Sequence, residues 1–127
     1  MESIPIIDLA EPDDAKVAAQ IDAACRAHGF FVVINHGVEQ ALLEQLDAVS
    51  REFFALADDE KARISMERGG IAWRGWFPLG GELTSGVADH KEGIYFGTEL
   101  PAGDRRPMHG PNLFPERPAA MRAVVLA

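Results

Sequence analysis

The sequence predicts an α+β fold in which helices cover a few short strands. Two segments carry apolar residues at helical spacing, one between residue 14 and Gly29 and a longer one from Val38 to about Leu56. Between them lies the run FFVVI at residues 30–34, and a continuous aromatic and β-branched run of this length is typical of a strand buried on both faces. A chain of 127 residues has room for one domain with its own core.

The first predicted elements are a short strand and a capped helix. Residues 4–9 read as the strand, with Pro5 at its start or on an edge because proline has no N–H to donate. The turn at residues 11–14 offers an aspartate cap, and Gly29 can adopt the left-handed conformation that ends a helix. We expect Cys25 to be a small core residue of this helix. The predicted apolar face consists of Val17, Ile21, Ala24, Cys25 and His28.

The second predicted helix is amphipathic and is followed by a glycine-rich segment. Residues 58–61 are expected to add one more helical turn, and from about Glu67 the glycines predict an irregular stretch that holds Trp73 and Trp76. Residues 92–97 return to a strand pattern. The apolar stripe of the second helix is Leu42, Leu46, Val49, Phe53 and Leu56.

The last ten residues predict the beginning of a helix. Pro118 suits the first turn of a helix, and residues 119–127 are compatible with helix. An apolar stripe begins at Met121, Val124 and Val125 and then the sequence stops, without a capping glycine. We interpret residues 118–127 as the start of a truncated helix.

Charge and composition disfavour two classes of partner. Twelve basic and twenty acidic residues give a formal charge of −8, which opposes binding to nucleic acid or to an anionic membrane surface. The first residues lack the pattern of a secretory signal, and no apolar run is long enough to span a bilayer. The single Cys25 excludes an intramolecular disulfide and a multi-cysteine zinc site, so we expect a cytoplasmic protein.

One set of residues has the composition of a metal site. His90, Glu92 and His109 could form the two-histidine, one-carboxylate triad that holds non-haem iron(II), and alternate residues of a strand place His90 and Glu92 on the same face. The alternative is a solvated polar turn that enters the strand, with an unrelated loop histidine. Ligand identity without geometry favours this second interpretation.

The segment RGWF at residues 74–77 has the character of a binding site. Arg74 offers a planar fork for carboxylates, and the neighbouring aromatic side chains could wall an apolar pocket. In the alternative interpretation, Trp76 and Phe77 hold the loop on the core while Arg74 is solvated. The sequence leaves both open.

Several short segments follow one another along the chain at characteristic spacings. They are residues 4–9 (IPIIDL), 29–38 (GFFVVINHGV), 53–56 (FFAL) with 60–61 (EK), 74–78 (RGWFP), 89–97 (DHKEGIYFG) and 109–115 (HGPNLFP). Each segment is weakly specific, but their order and spacing together are more so. Taken in order, they resemble the N-terminal domain of the non-haem iron(II)/2-oxoglutarate-dependent dioxygenases of the isopenicillin-N-synthase-like family.

The resemblance implies that residues 1–117 form this N-terminal domain and would pack on and extend a double-stranded β-helix, or jelly roll, most of which is absent from this chain. It places the iron and 2-oxoglutarate ligands in that jelly roll, so no cofactor site is expected in this chain. It further implies that Arg74, Phe77 and Thr84 face the substrate.

The predicted function is therefore that of the N-terminal portion of an iron(II)/2-oxoglutarate-type oxidoreductase acting on a small molecule. Iron(II) and 2-oxoglutarate are implied for the intact protein, and the isolated chain is expected to be inactive. The alternatives are a free-standing, non-catalytic binding module and one half of a two-chain oxygenase.

Overall fold

The chain combines helices and short strands, as the sequence predicted. The structure, a computed structural model, describes residues 3–127. Met1 and Glu2, on which part of the signal-peptide prediction rests, lie outside the described residues. The chain divides into two compact units, one ending at Gln40 and one spanning Ala41–Ala127.

The N-terminal unit is a two-stranded sheet with one helix. Strand β1 (Ile6–Asp8), helix α1 (Asp14–His28) and strand β2 (Val32–Ile34) follow in order, and the two strands pair in parallel with Ile6 opposite Val32. The helix begins where predicted, because the side chain of Asp13 accepts hydrogen bonds from the N–H groups of Ala15 and Lys16. It ends at Gly29, whose φ of 79° is readily accessible to glycine.

Two predictions for this unit are wrong. Strand β2 is not buried on both faces, since Val32 keeps 46% of its surface exposed and Phe30 and Ile34 are also exposed. Within residues 3–40, β2 pairs with β1 only and α1 is the sole helix, so one face of the sheet has no covering layer in this unit. Cys25 is exposed rather than part of the core, and Ala24 is the buried residue of α1.

The second unit contains most of the chain's elements. Its helices are α2 (Gln40–Phe54, of which Gln40 belongs to the first unit), α3 (Asp58–Lys61), α4 (Met66–Gly69) and α5 (Met121–Val125), with single 3-10 turns at Ala62–Ile64 and Gly70–Ala72. Its strands are β3 (Gly75–Phe77), β4 (Leu83–Thr84), β5 (Val87–Ala88) and β6 (Gly93–Tyr95). Strands β3 and β6 form one antiparallel pair, and β4 and β5 form another.

The core of this unit joins residues that are distant in sequence. Its buried members are Val49 and Phe53 of α2, Ile64, Trp76 of β3 and Met121 of α5. The predicted apolar stripe of α2 therefore faces the core at its C-terminal end, while Leu46 remains exposed. Met121 is buried and Val124 and Val125 pack against the cluster, which gives the predicted helix at the end of the sequence a packed face.

The glycine-rich segment from Glu67 to Lys91 is more regular than predicted. It contains β3, all three residues of which are buried, and the β4–β5 hairpin. Two-residue and three-residue strands leave no alternation for a sequence pattern to reveal. Long-range contacts define β3 instead, because it pairs with β6 and forms an isolated bridge between Ser65 and Trp76.

Gly75 is where this bridge requires the absence of a side chain. Its φ is +111°, and a Cβ there would lie 2.3 Å from the carbonyl oxygen of Ile64. We expect Gly75→Ala to lower the free energy of unfolding by about 2 kcal/mol, since backbone strain and a backbone clash add. Gly86→Ala is the control, because Gly86 has φ +81° but no atom within 4 Å of the added Cβ; it should cost about 1 kcal/mol. Urea unfolding followed by tryptophan fluorescence measures both, and equal losses would contradict the close approach at Gly75.

Among the described residues, no helix combines the length and apolar character needed to cross a membrane.

Candidate functional site

A cleft of about 540 Å³ lies beside β3 in the second unit. Its walls come from α4, the turn after it, β3 and the segment that leads into β4. The side chains that give it chemical character are Met66, Glu67, Trp73, Trp76, Phe77 and Glu82. A largely apolar cleft with a few polar groups is the usual form of a small-molecule site.

Phe77 forms one wall of the cleft, and Tyr95 and Gly93 of β6 hold its ring in place. Its ring centroid lies 5.3 Å from that of Tyr95, with the ring planes tilted by 32°. It also lies directly over Gly93, its partner across the β3–β6 pair, where an added Cβ would come within 2.4 Å of the ring. The glycine in β6 thus makes room for the phenylalanine in β3. The ring orientation is set before any ligand binds.

Trp76 is held by a buried ion pair. Its indole N–H donates to Glu92 Oε2 at 2.8 Å, and the Lys61 ammonium lies 2.7 Å from the same oxygen and 5.3 Å from the indole ring centroid. Burial lowers the pKa of Lys61, but hydrogen bonds to Glu92 and Asp58 outweigh burial and the pKa is raised. Lys61 is therefore a buried cation with two carboxylate partners. The sequence pattern had assigned it only to a helical turn.

Glu82, at the rim of the cleft, is already paired. The Tyr95 hydroxyl donates to one carboxylate oxygen of Glu82, and the Lys91 ammonium lies 3.1 Å from the other. The hydrogen bond from Tyr95, followed by that from Lys91, holds the pKa of Glu82 below its usual range. Its carboxylate is consequently ionised and largely satisfied by groups of the protein.

Arg74 is buried and does not line the cleft. Its guanidinium donates to the carbonyl oxygens of Ala72 at 2.7 Å and Met108 at 3.0 Å, while its Nε has no hydrogen-bond partner within residues 3–127. The group lies against Gly97, where an added Cβ would be 2.2 Å from Nη2. Arg74 is therefore buried rather than solvated, contrary to the second alternative, and it does not line this cleft. Trp76 and Phe77 do hold the segment on the core, as the second alternative expected.

Thr84 also lies outside the cleft lining. It is exposed in the β4–β5 hairpin, and its hydroxyl donates to Asp89 Oδ2 at 3.0 Å. Of the three predicted substrate-facing residues, Phe77 is the one that lines the cleft. The sequence pattern missed Glu67 and Met66; the only available signal was the exposed aromatic Trp73 in a glycine-rich stretch a few residues later.

The candidate iron triad is not assembled. Within residues 3–127, no three histidine, cysteine, aspartate or glutamate side chains are grouped so that they could hold a metal ion. Glu92 accepts from Lys61 and Trp76, and Nδ1 of His109 lies 2.9 Å from the carbonyl oxygen of Pro107. His90 precedes β6 rather than standing in it, so the alternation that would align it with Glu92 does not apply.

Comparison with known proteins defines the class. A family model described as the N-terminal domain of the non-haem dioxygenases in morphine synthesis matches residues 4–117. The chain belongs to this family, the N-terminal domain of non-haem iron/2-oxoglutarate dioxygenases, as the sequence segments had indicated.

Individual relatives agree with this assignment. An iron/ascorbate oxidoreductase of Dictyostelium discoideum is 41% identical over 91% of this chain and 35% of its own length. A homoarginine-6-hydroxylase of Arabidopsis thaliana is 33% identical over 98% of this chain and 42% of its own length. A solved structure of a protein assigned to the 2OG-Fe(II) oxygenase family, from Caulobacter crescentus, superposes with a TM-score of 0.73 at 27% identity, covering 99% of this chain and 42% of that one. The chain thus spans less than half of each of these relatives.

Proposed function

We propose that this chain is the N-terminal part of an iron(II)/2-oxoglutarate-type oxidoreductase of the cytoplasm and forms one wall of its small-molecule substrate site. The cleft beside β3, with Phe77 set in its wall, is the observation that carries this proposal. In the proposed organisation residues 1–117 are the N-terminal domain, and residues 118–127 begin a helix that leads to a catalytic jelly roll.

The uncovered face of the first sheet supports a larger fold. Ile6 and Val32 stand opposite each other, and both are exposed. Ile4, Phe30 and Ile34 are exposed as well. A contiguous apolar sheet face of this kind is normally covered by another layer or partner. The jelly roll of the same protein is the layer that we propose here.

Within residues 3–127, no group of side chains fits an iron site, because the donor groups there are dispersed or already hydrogen-bonded. We propose that both cofactors bind in the jelly roll, and that the 127-residue chain is inactive by itself.

The substrate-facing roles of Arg74, Phe77 and Thr84 remain part of the proposal. Phe77 has the placement that direct contact requires. Arg74 connects the segment before β3 to the loop that contains Met108, so in this arrangement it acts on the cleft by positioning. Thr84 would reach a substrate only where that substrate extends along the β4–β5 hairpin.

The test is to isolate the native polypeptide that carries this sequence, using an antibody against the chain, and to measure its mass and its consumption of 2-oxoglutarate with ferrous iron and ascorbate. Because the chain covers 35% of its Dictyostelium relative, we expect a polypeptide about three times as long that consumes 2-oxoglutarate.

Two results would replace the proposal by its alternatives. A polypeptide of 13.8 kDa that co-purifies with a separate jelly-roll chain would establish a two-chain oxygenase. A polypeptide of that size without such a partner, and without 2-oxoglutarate consumption, would establish a free-standing binding module.

A further inference from the structure

Resting on the function proposed above, we propose that the cleft beside β3 recognises a cationic nitrogen group of the substrate, an ammonium or a guanidinium. The indole of Trp73 would provide the aromatic face, and the carboxylate of Glu67 would provide the counter-charge.

The sign of the charge follows first from the side chains that line the cleft. They include two carboxylates, Glu67 and Glu82, and no lysine or arginine. Arg74 is buried and donates to backbone carbonyls, and Arg68, which follows Glu67, does not line the cleft. Because Lys91 already compensates Glu82, an anionic substrate group would chiefly meet the carboxylate of Glu67, with no cationic side chain among those that line the cleft, which is unfavourable.

Of the two carboxylates, Glu67 is the one whose charge has no partner in the part of the chain that the structure describes. Glu82 is paired with the Tyr95 hydroxyl and the Lys91 ammonium. Glu67, in the first turn of α4, is exposed and has no ion-pair or hydrogen-bond partner for its side chain within residues 3–127. A ligand cation would thus gain a counter-ion at Glu67 without displacing an existing pair.

Of the two tryptophans, Trp73 is the one available to a ligand. Lys61 already lies over the ring of Trp76, whose indole N–H is committed to Glu92. Trp73 is 55% exposed although it lines the cleft, and its backbone has φ 55° and ψ 51°. The left-handed region is unfavourable for a bulky residue, and such outliers concentrate at ligand-binding positions. A tryptophan face within about 6 Å attracts an ammonium or guanidinium group.

The net negative charge of the chain also favours a cationic ligand. The formal charge is −8, and clefts lined by one sign of charge raise the local concentration of oppositely charged ligands. The exposed aromatic face of Trp73 and the carboxylate of Glu67 line the same cleft, and the net charge also favours a cation there.

The experiment is a titration of the purified 127-residue chain with methylguanidinium, and with methylurea as the neutral molecule of the same shape, at constant ionic strength. Two-dimensional proton–nitrogen NMR follows the two indole N–H signals of the chain, with Trp73→Phe assigning them. We expect a saturable shift of the Trp73 signal by methylguanidinium and at least about tenfold weaker binding of methylurea. Glu67→Gln should weaken methylguanidinium binding about fivefold.

Glu52→Gln is the matched control, because Glu52 is also exposed in the same unit but does not line the cleft; it should leave binding unchanged. The proposal is overturned if methylurea binds as well as methylguanidinium, if neither gives a saturable shift, or if Glu67→Gln has no effect. These outcomes are independent of oxygenase activity. If the native polypeptide consumes 2-oxoglutarate but methylguanidinium does not shift the Trp73 signal of the 127-residue chain, the cation preference is refuted and the proposed function stands.

Discussion

Replacing Phe53 by alanine is expected to lower the free energy of unfolding of the Ala41–Ala127 unit by about 4 kcal/mol. Phe53 is 0% exposed and belongs to the cluster that joins α2, β3 and α5. Its ring contacts that of Phe54 edge-on at 5.2 Å. Removing the ring therefore loses burial, dispersion contacts and an aromatic pair at the same time, and leaves a cavity that fixed neighbours cannot fill.

The measurement is urea unfolding followed by tryptophan fluorescence, since Trp73 and Trp76 both belong to this unit. Leu43→Ala is the matched control, because Leu43 lies on the same helix but is exposed. It should cost less than about 1 kcal/mol. Similar losses for the two variants would show that α2 does not pack as described.

The second large effect is expected at the buried ion pair. Glu92→Ala should lower the free energy of unfolding by about 3 kcal/mol, because it leaves the Lys61 ammonium buried with one exposed partner and removes the acceptor of the Trp76 indole. The side chain of Lys61 is 5% exposed and that of Glu92 is 29% exposed, so solvent screens this pair only in part. Asp58→Ala is the control, because it removes the other carboxylate partner of Lys61. The side chain of Asp58 is 83% exposed, so its removal should lower the free energy of unfolding by less than about 1 kcal/mol.

The same pair gives a pH dependence of defined sign. The pKa of Lys61 is raised above its ordinary value of 10.5 in the folded chain. The stability that this shift contributes is fully present below pH 10.5 and is lost as the pH rises through the folded pKa. The difference in stability between the wild-type chain and Glu92→Ala should therefore shrink above that pH. A difference that grows in alkaline solution would contradict the ion pair.

Local signals in the sequence were sufficient for α1 and for the buried face of α2. Asp13 and Gly29 mark the two ends of α1, because N-terminal capping and a left-handed glycine depend only on neighbouring residues. The stripe Val49 and Phe53 predicted the buried face of α2 because a helical period persists over several turns. The family segments likewise depend on order along the chain, and the match over residues 4–117 confirms them.

Tertiary context decided what the sequence could not. Val32 lies in the run at residues 30–34, which has the composition of a fully buried strand. Whether both faces of β2 are covered depends on layers that these residues do not encode. Cys25 and Ala24 are adjacent on α1, and a rotation of one residue determines which is buried. The burial of Arg74 was not predictable from its neighbours in sequence, because Gly97 and the Met108 carbonyl, more than twenty residues away, create its buried position.

The candidate cleft also combines residues that local sequence suggests with residues that only the fold brings in. Phe77 could be selected from the resemblance of residues 74–78, but Glu67 belongs to a separate short helix that no motif marks. Its proximity to Trp73 in the cleft depends on two successive helical turns between them, α4 and Gly70–Ala72. Such juxtapositions follow from the folded chain and not from spacing.

We propose that this chain shapes a substrate wall while iron is bound elsewhere, and anaerobic calorimetry of iron(II) added to the purified chain with 2-oxoglutarate present tests this most directly. We expect no stoichiometric binding, because the donor groups within residues 3–127 are not grouped as a metal site. Stoichiometric binding at micromolar iron(II), abolished by His109→Ala, would contradict it and would make His90, Glu92 and His109 the metal centre.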